Sequence, residues 1–269
     1  MISELLLFIK RQASSSLFGG LMLFFLLVTK YIDIPGIYRY DLLFVIAIAI
    51  QLILIVFKLE TPKEVLAIVI FHICAMVMEI FKTSPSVGSW AYPEASILAI
   101  ATVPLFTGFL YSSVGSYMTR AWRINKFVFT ALPNKWVLSL TGLLIYANFF
   151  TNHFTYDIRW IIFALLVVIF WKTKLYATLT KRTFVFHPLV SNALLAFFVW
   201  FAEQIGTFAR VWIYPNQVEG WEPVSFHMFT SWYLLLIFSF IIIALIDPEK
   251  GKDLENVKQV SRVEEGITK

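Results

Sequence analysis

DLLFVIAIAIQLILIVFK, residues 41–58, decides the solvent in which this chain folds. Between Asp41 and Lys58 the only polar side chain is Gln51. A helix of that length crosses the roughly 30 Å of hydrocarbon in a bilayer. Comparable runs recur to either side, and eight spans are drawn at about 17–32, 40–58, 63–82, 95–119, 135–151, 157–177, 188–209 and 225–246. Apolar residues fill 59% of the 269 positions and charged residues only 14%. A soluble domain is nearer half and a quarter, so a single aqueous core does not absorb the excess.

The expected fold is therefore all-α, a polytopic membrane bundle of about eight helices over residues 1–247, with a charged cytoplasmic tail at 248–269. The net charge of +5 does not point to nucleic acid, because the Lys and Arg residues lie in short clusters between apolar runs. They read as topology signals instead. Arg120, Arg123, Lys126 and Lys135 follow span 4, and Lys172, Lys174, Lys181 and Arg182 follow span 6. Basic short loops stay in the cytoplasm, which puts both termini there and turns the loops after spans 3, 5 and 7 outward. Glu4 and the early Lys10-Arg11 pair argue against a cleaved signal peptide, so Leu5 to Ile9 reads as an interfacial lead-in to an uncleaved first span. Cys74 is the only cysteine, which rules out a disulfide within the chain and leaves packing as its role. Span 4 is interrupted by Pro104 and Gly108, and Ser112, Gly115 and Ser116 soften it further, as in a kinked, closely packed helix.

Two segments echo one another. Glu79, Thr83 and then Trp90-Ala91-Tyr92-Pro93 are matched, four spans later, by Glu203, Thr207 and Trp212-Ile213-Tyr214-Pro215. An even number of spans between the copies implies parallel half-repeats, about 17–122 and 135–246, related by an axis along the membrane normal.

Ionisable residues within spans are costly, which makes function their default reading. Glu79 and Glu203 are the acid and base candidates, with Lys82 and Arg210 as the nearest cations in sequence. His72 lies on the same helix face as Glu79 but ~10 Å below it, fitting a pocket floor rather than a shared ligand set. His153, Asp157 and His227 add further candidates at the outer level, and with a glutamate they have the ligand types of a mixed metal site. No spacing among them is diagnostic, and a cap and salt-bridge network is the plainer reading. Thr83, Trp90, Tyr92, Asn148, Asn152, Thr207, Trp212 and Tyr214 would line a substrate pocket. Aromatic faces stabilise cations, and a carboxylic acid kept protonated in an apolar site is a general acid. Together these are the parts needed to protonate a carbon–carbon double bond and hold the carbocation.

His72-x6-Glu79-x3-Thr83, Gly88-Ser89-Trp90-Ala91-Tyr92-Pro93-Glu94, Tyr146-Ala147-Asn148-Phe149 and Asp157-Ile158-Arg159-Trp160 resemble a bacterial family known only as domain of unknown function 817, or YoaT-like. The likeness spans nearly the whole chain and implies a protein of the bacterial cytoplasmic (inner) membrane without an established activity. Glu79, Thr83, Gly88, Tyr92 and Val103-Pro104-Leu105 also show a distant likeness to bacterial carotenoid hydratases, multi-span enzymes acting on polyene end groups. Ser84 and Ser86-Val87-Gly88 depart from that pattern.

The first functional reading is an enzyme that modifies a prenyl or other lipid substrate in an outward-side intramembrane pocket, with membrane lipid as its partner. The alternatives are a small-solute transporter with coupling glutamates, and a scaffold without chemistry. The sequence names no cofactor, substrate or oligomeric state.

Overall fold

The computed structural model describes residues 2–178 and 183–247, so Lys181, Arg182 and the expected tail lie outside the described residues. The described chain is mostly helical: α1 (Ile2–Ser15), α2 (Leu17–Val28), α3 (Arg39–Val56), α4 (Pro62–Lys82), α5 (Phe106–Ile124), α6 (Lys135–Thr151), α7 (Arg159–Phe170), α8 (Pro188–Phe208) and α9 (His227–Ile246). Four of these, α3, α4, α8 and α9, are long and apolar enough to cross a membrane, and α1–α2 makes a fifth if that pair, bent by 66°, is one span. At the bend the hydroxyls of Ser15 and Ser16 donate back to the carbonyls of Arg11 and Gln12, competing with the helical ladder. Helix starts are encoded locally. Thr61 and Glu64 form a capping box ahead of Pro62 in α4, Asn134 accepts the Trp136 and Val137 amides at α6, and Pro188 opens α8.

Three expectations need correction. Span 4 is not one kinked helix from 95, because β1 (Ala99–Ile100) and β2 (Val103–Pro104) form a hairpin and α5 begins only at Phe106. Pro104 lacks a donor and holds Val103 extended, so the break becomes a helix start. Span 6 does not stay helical to 177. After Phe170 the chain enters a three-stranded antiparallel sheet of β3 (Val128–Thr130), β4 (Lys174–Thr178) and β5 (Thr183–Phe186). The all-α expectation therefore holds only for the bundle itself.

The loops gather at two ends. At one end Arg39 pairs with Glu94, Lys82 reaches His153 and Arg159 reaches His227. At the other Arg123 pairs with Glu64, Lys63 with Asp247, and the buried Arg120 donates to the carbonyls of Leu59 and Ser14. Between the ends α5 packs along α4, α2 and α3, while α9 packs along α8, α6 and α4. Gly115 lets α5 close on Phe71 and Ile68 of α4, as the small-residue spacing predicts. Between the two sets α4 meets α6 and α8 meets α2, a reciprocal pair, and α4 also meets α9. The outer surfaces of these helices carry exposed Leu52 and Ile53, Ile73 and Val77, Phe197 and Phe201. Water would penalise so continuous an apolar exterior, and hydrocarbon does not.

Candidate functional site

The two Trp-x-Tyr-Pro segments meet. Ala91 and Ile213 form an antiparallel bridge, each amide donating to the other's carbonyl at 2.9 Å. In an extended segment residues i and i+2 share a face, so Trp90 and Tyr92 project together, as do Trp212 and Tyr214. Antiparallel pairing then sets Trp90 beside Tyr214, whose ring centroids are 6.3 Å apart edge to face. Trp212 lies over Gly206, where a Cβ would collide with the indole.

These rings roof two buried carboxyls. Glu79 Oε2 accepts Trp90 Nε1 at 3.0 Å and the Tyr92 hydroxyl at 2.7 Å, and its Oε1 accepts the Tyr111 hydroxyl at 2.5 Å. Glu203 Oε1 accepts the Tyr214 hydroxyl at 2.5 Å, and its Oε2 accepts Trp232 Nε1 at 2.8 Å. Tyr111 from α5 and Trp232 from α9 lie against each other with centroids 5.8 Å apart. Glu79 is thus held by Trp90, Tyr92 and Tyr111 of α5, and Glu203 by Tyr214 and Trp232 of α9. Burial, then the neighbouring carboxyl, pushes the Tyr92 and Tyr214 hydroxyls well above the ordinary phenol range, so both remain O–H donors.

The expected cationic partners are elsewhere. Lys82 Nζ bonds Asn152 Oδ1 at 3.3 Å and His153 Nε2 at 2.7 Å, and among the described residues Arg210 reaches only the Gln217 carbonyl. Among the described residues neither Glu79 nor Glu203 is in a salt bridge. Burial and the Lys82 charge push His153 below its usual range, so a neutral imidazole accepts from the ammonium.

Both carboxyls open on a cavity of about 1080 Å³ between α1, α2, α4 and α5 on one side and α8 and α9 on the other. Trp90, Tyr92, Asn152, His153, Trp212, Tyr214 and His227 also line it, whereas His72, Thr83, Asn148, Asp157 and Thr207 do not. His72 packs on Phe109 and over Gly108, and its Nδ1 bonds Ser112 Oγ at 2.9 Å. That hydroxyl already donates to the Gly108 carbonyl, so the imidazole nitrogen is the donor. His72 is a packing residue between α4 and α5 rather than a pocket floor. Thr83 and Thr207 turn their hydroxyls to the backbone carbonyls of Glu79 and Glu203, not to the carboxyls. Asn148 organises the turn after α6 through Asp157 and the Ile158 amide. α6 ends at Thr151, so His153 and Asp157 do not share a helix face as a helical reading has them. Asp157 and His227 both attach to Arg159, and among the described residues no group of three or more His, Cys, Asp or Glu could hold a metal ion.

Sequence reasoning missed Tyr111 and Trp232, which sit inside spans read as packing helices. Extending the Glu and Trp-x-Tyr echo into the following helix would have found both, since they occupy corresponding places. Arg159, which also lines the cavity, was visible only as part of a polar loop.

A family model described as "Protein of unknown function (DUF817)" matches residues 4–240. The chain belongs to this family. A DUF817 relative, the uncharacterized protein YoaT of Bacillus subtilis (strain 168), is 37% identical over 249 residues, 93% of this chain and 94% of the relative. No solved structure matches. The DUF817 assignment carries no activity, so the chemistry is argued from the site.

Proposed function

We propose that this chain is an eight-pass protein of the bacterial cytoplasmic membrane, with both ends in the cytoplasm, that modifies a prenyl or other unsaturated lipid inside its bundle. Supporting eight passes, α2 to α9 alternate between the two ends where the loops gather. The reciprocal α4–α6 and α8–α2 contacts, and the self-paired Ala91–Ile213 bridge, support two parallel halves about one axis. The basic loops support the orientation.

The observation that carries the enzymatic reading is that two carboxyls without a countercharge open on one long apolar cavity. A Trp N–H only donates and a Tyr hydroxyl donates or accepts; Glu79 Oε2 meets one of each, Glu79 Oε1 and Glu203 Oε1 each meet a tyrosine, and Glu203 Oε2 meets a tryptophan. Whichever carboxyl carries the acid proton can direct it only to a tyrosine hydroxyl, Tyr92 or Tyr111 at Glu79 and Tyr214 at Glu203, while the other stays ionised with its tyrosines donating. In a hydration, one protonated glutamic acid delivers its proton to a double-bond carbon and the π pair forms the new C–H bond. Aromatic faces hold the resulting cation, water adds its oxygen, and the second glutamate takes the water's proton. The balance is alkene plus water giving alcohol, with the proton passed between the carboxyls.

The transporter reading needs a polar path past His72. That residue is taken up by Ser112 and Phe109, away from the cavity wall. Lipid extraction and mass spectrometry on cells with and without the protein tests the proposal. A lipid gaining one water only when the protein is present is expected, and identical lipid profiles would refute it.

A further inference from the structure

We propose that the cavity selects a long-chain lipid with an anionic, phosphate-type headgroup, which Lys82 and Arg159 bind at the end where the Trp-x-Tyr-Pro segments meet. This assignment deepens the lipid-enzyme reading and rests on it. Lys82 and Arg159 are 6% and 7% exposed, and both line the cavity. Among the described residues Lys82 hydrogen-bonds only the neutral partners Asn152 and His153. Asp157 neutralises Arg159 through Nε, while Nη1 bonds His227, Thr230 and Ser231 and Nη2 takes no protein partner among the described residues. Two buried cations therefore share one carboxylate. An unpaired ammonium away from water is costly, and an anionic ligand removes that cost. A guanidinium and an ammonium on the wall of one cavity are also suited to phosphate oxygens.

The rest of the cavity fixes what is attached to that anion. Beyond the cationic end its wall is mostly apolar, through Leu110, Met118, Leu195, Leu235 and Phe240, with Gln12, Ser113 and Asn192 among its few polar groups. A free inorganic anion would leave this length unfilled, whereas a single hydrocarbon or isoprenoid chain fills it. Lys82 stands three residues beyond Glu79 on α4, a rise of ~4.5 Å. The carboxyls thus meet the chain within its first few carbons from the headgroup, which places the reacting double bond there.

Binding to the purified full chain in neutral detergent separates this inference from the catalytic one, with quenching of cavity tryptophans as the readout. The probes are a fifteen-carbon prenyl monophosphate, the matching prenyl alcohol and inorganic phosphate. The prenyl phosphate should bind at least about tenfold more tightly than either other probe, a gap of ~1.4 kcal/mol. Lys82→Gln should bring the prenyl phosphate down to the alcohol's affinity and leave the alcohol unchanged, and Lys82→Arg should restore the preference. Equal binding of alcohol and phosphate by the wild type would overturn the headgroup site. So would inorganic phosphate binding as tightly as the prenyl phosphate, since the anion alone would then suffice. Glu79→Gln should keep the preference; if it also kept full lipid-modifying activity, the enzymatic assignment would fail while the headgroup site stood.

Discussion

At the residue scale the site works by matching donors to acceptors rather than by charge pairing. Tyr111 hydrogen-bonds Glu79 Oε1 from a buried position on the cavity wall, so Tyr111→Phe leaves a buried carboxyl oxygen short of its partner. Removing such a partner typically costs about 1–3 kcal/mol. Thermal unfolding in detergent should show that loss, and Trp232→Phe should show a similar one at Glu203. Gly206→Ala should shift Trp212 off its seat, because the new methyl would occupy the indole's space, with a corresponding drop in melting temperature. The glutamates and the Trp-x-Tyr pairs were legible in the sequence, since an acidic residue in an apolar run and a repeated motif are both rare. Their hydrogen-bond partners were not, because Tyr111 and Trp232 look like any aromatic residue in a span.

At the element scale the helices were legible from apolar runs, and their failures came where backbone geometry overrides hydropathy. Apolarity continues through Ile97, Leu98 and Ile100, yet Pro104 imposes extended structure and α5 starts after it. The expected span likewise runs past Phe170, but Lys172 and Lys174 interrupt the apolar run there, and β4 pairs with its neighbour β5 and with β3, which lies far away in sequence. No local pattern announces such a partner. The turn between α6 and α7 allows a pH test. Burial raises the Asp157 pKa, but the Arg159 amide, Asn148 and the Arg159 guanidinium outweigh it and leave the carboxyl below its usual range. A depressed folded-state value stabilises the protein above the ordinary aspartate range, near pH 4, and that contribution disappears as pH falls through the folded value. Asp157→Asn should therefore lower the melting temperature at neutral pH, and the gap from wild type should close on acidification. A gap that stays constant with pH would show that Asp157 acts without its charge.

At the scale of the whole molecule, the bundle places the two Trp-x-Tyr-Pro segments at one end and Arg120 and Arg123 at the other. The proposed orientation predicts that cysteines at the exposed Ser86 and Asn216, in a Cys74→Ser background, react with an impermeant thiol reagent applied outside intact cells. Labelling only after the cytoplasmic face is opened would invert the topology. The central claim is that Glu79 and Glu203 carry acid–base chemistry on a lipid. Glutamine matches the neutral acid in shape, and its amide can donate to Tyr111 or Tyr214 while its carbonyl accepts from the tryptophan. The most direct measurement is the lipid profile of cells producing wild type, Glu79→Gln or Glu203→Gln, with the melting temperature of each purified protein. The account predicts that both variants fold near the wild-type stability and lose the wild-type lipid product by at least about a hundredfold, the scale of a missing general acid or base. Full product from either variant would contradict it.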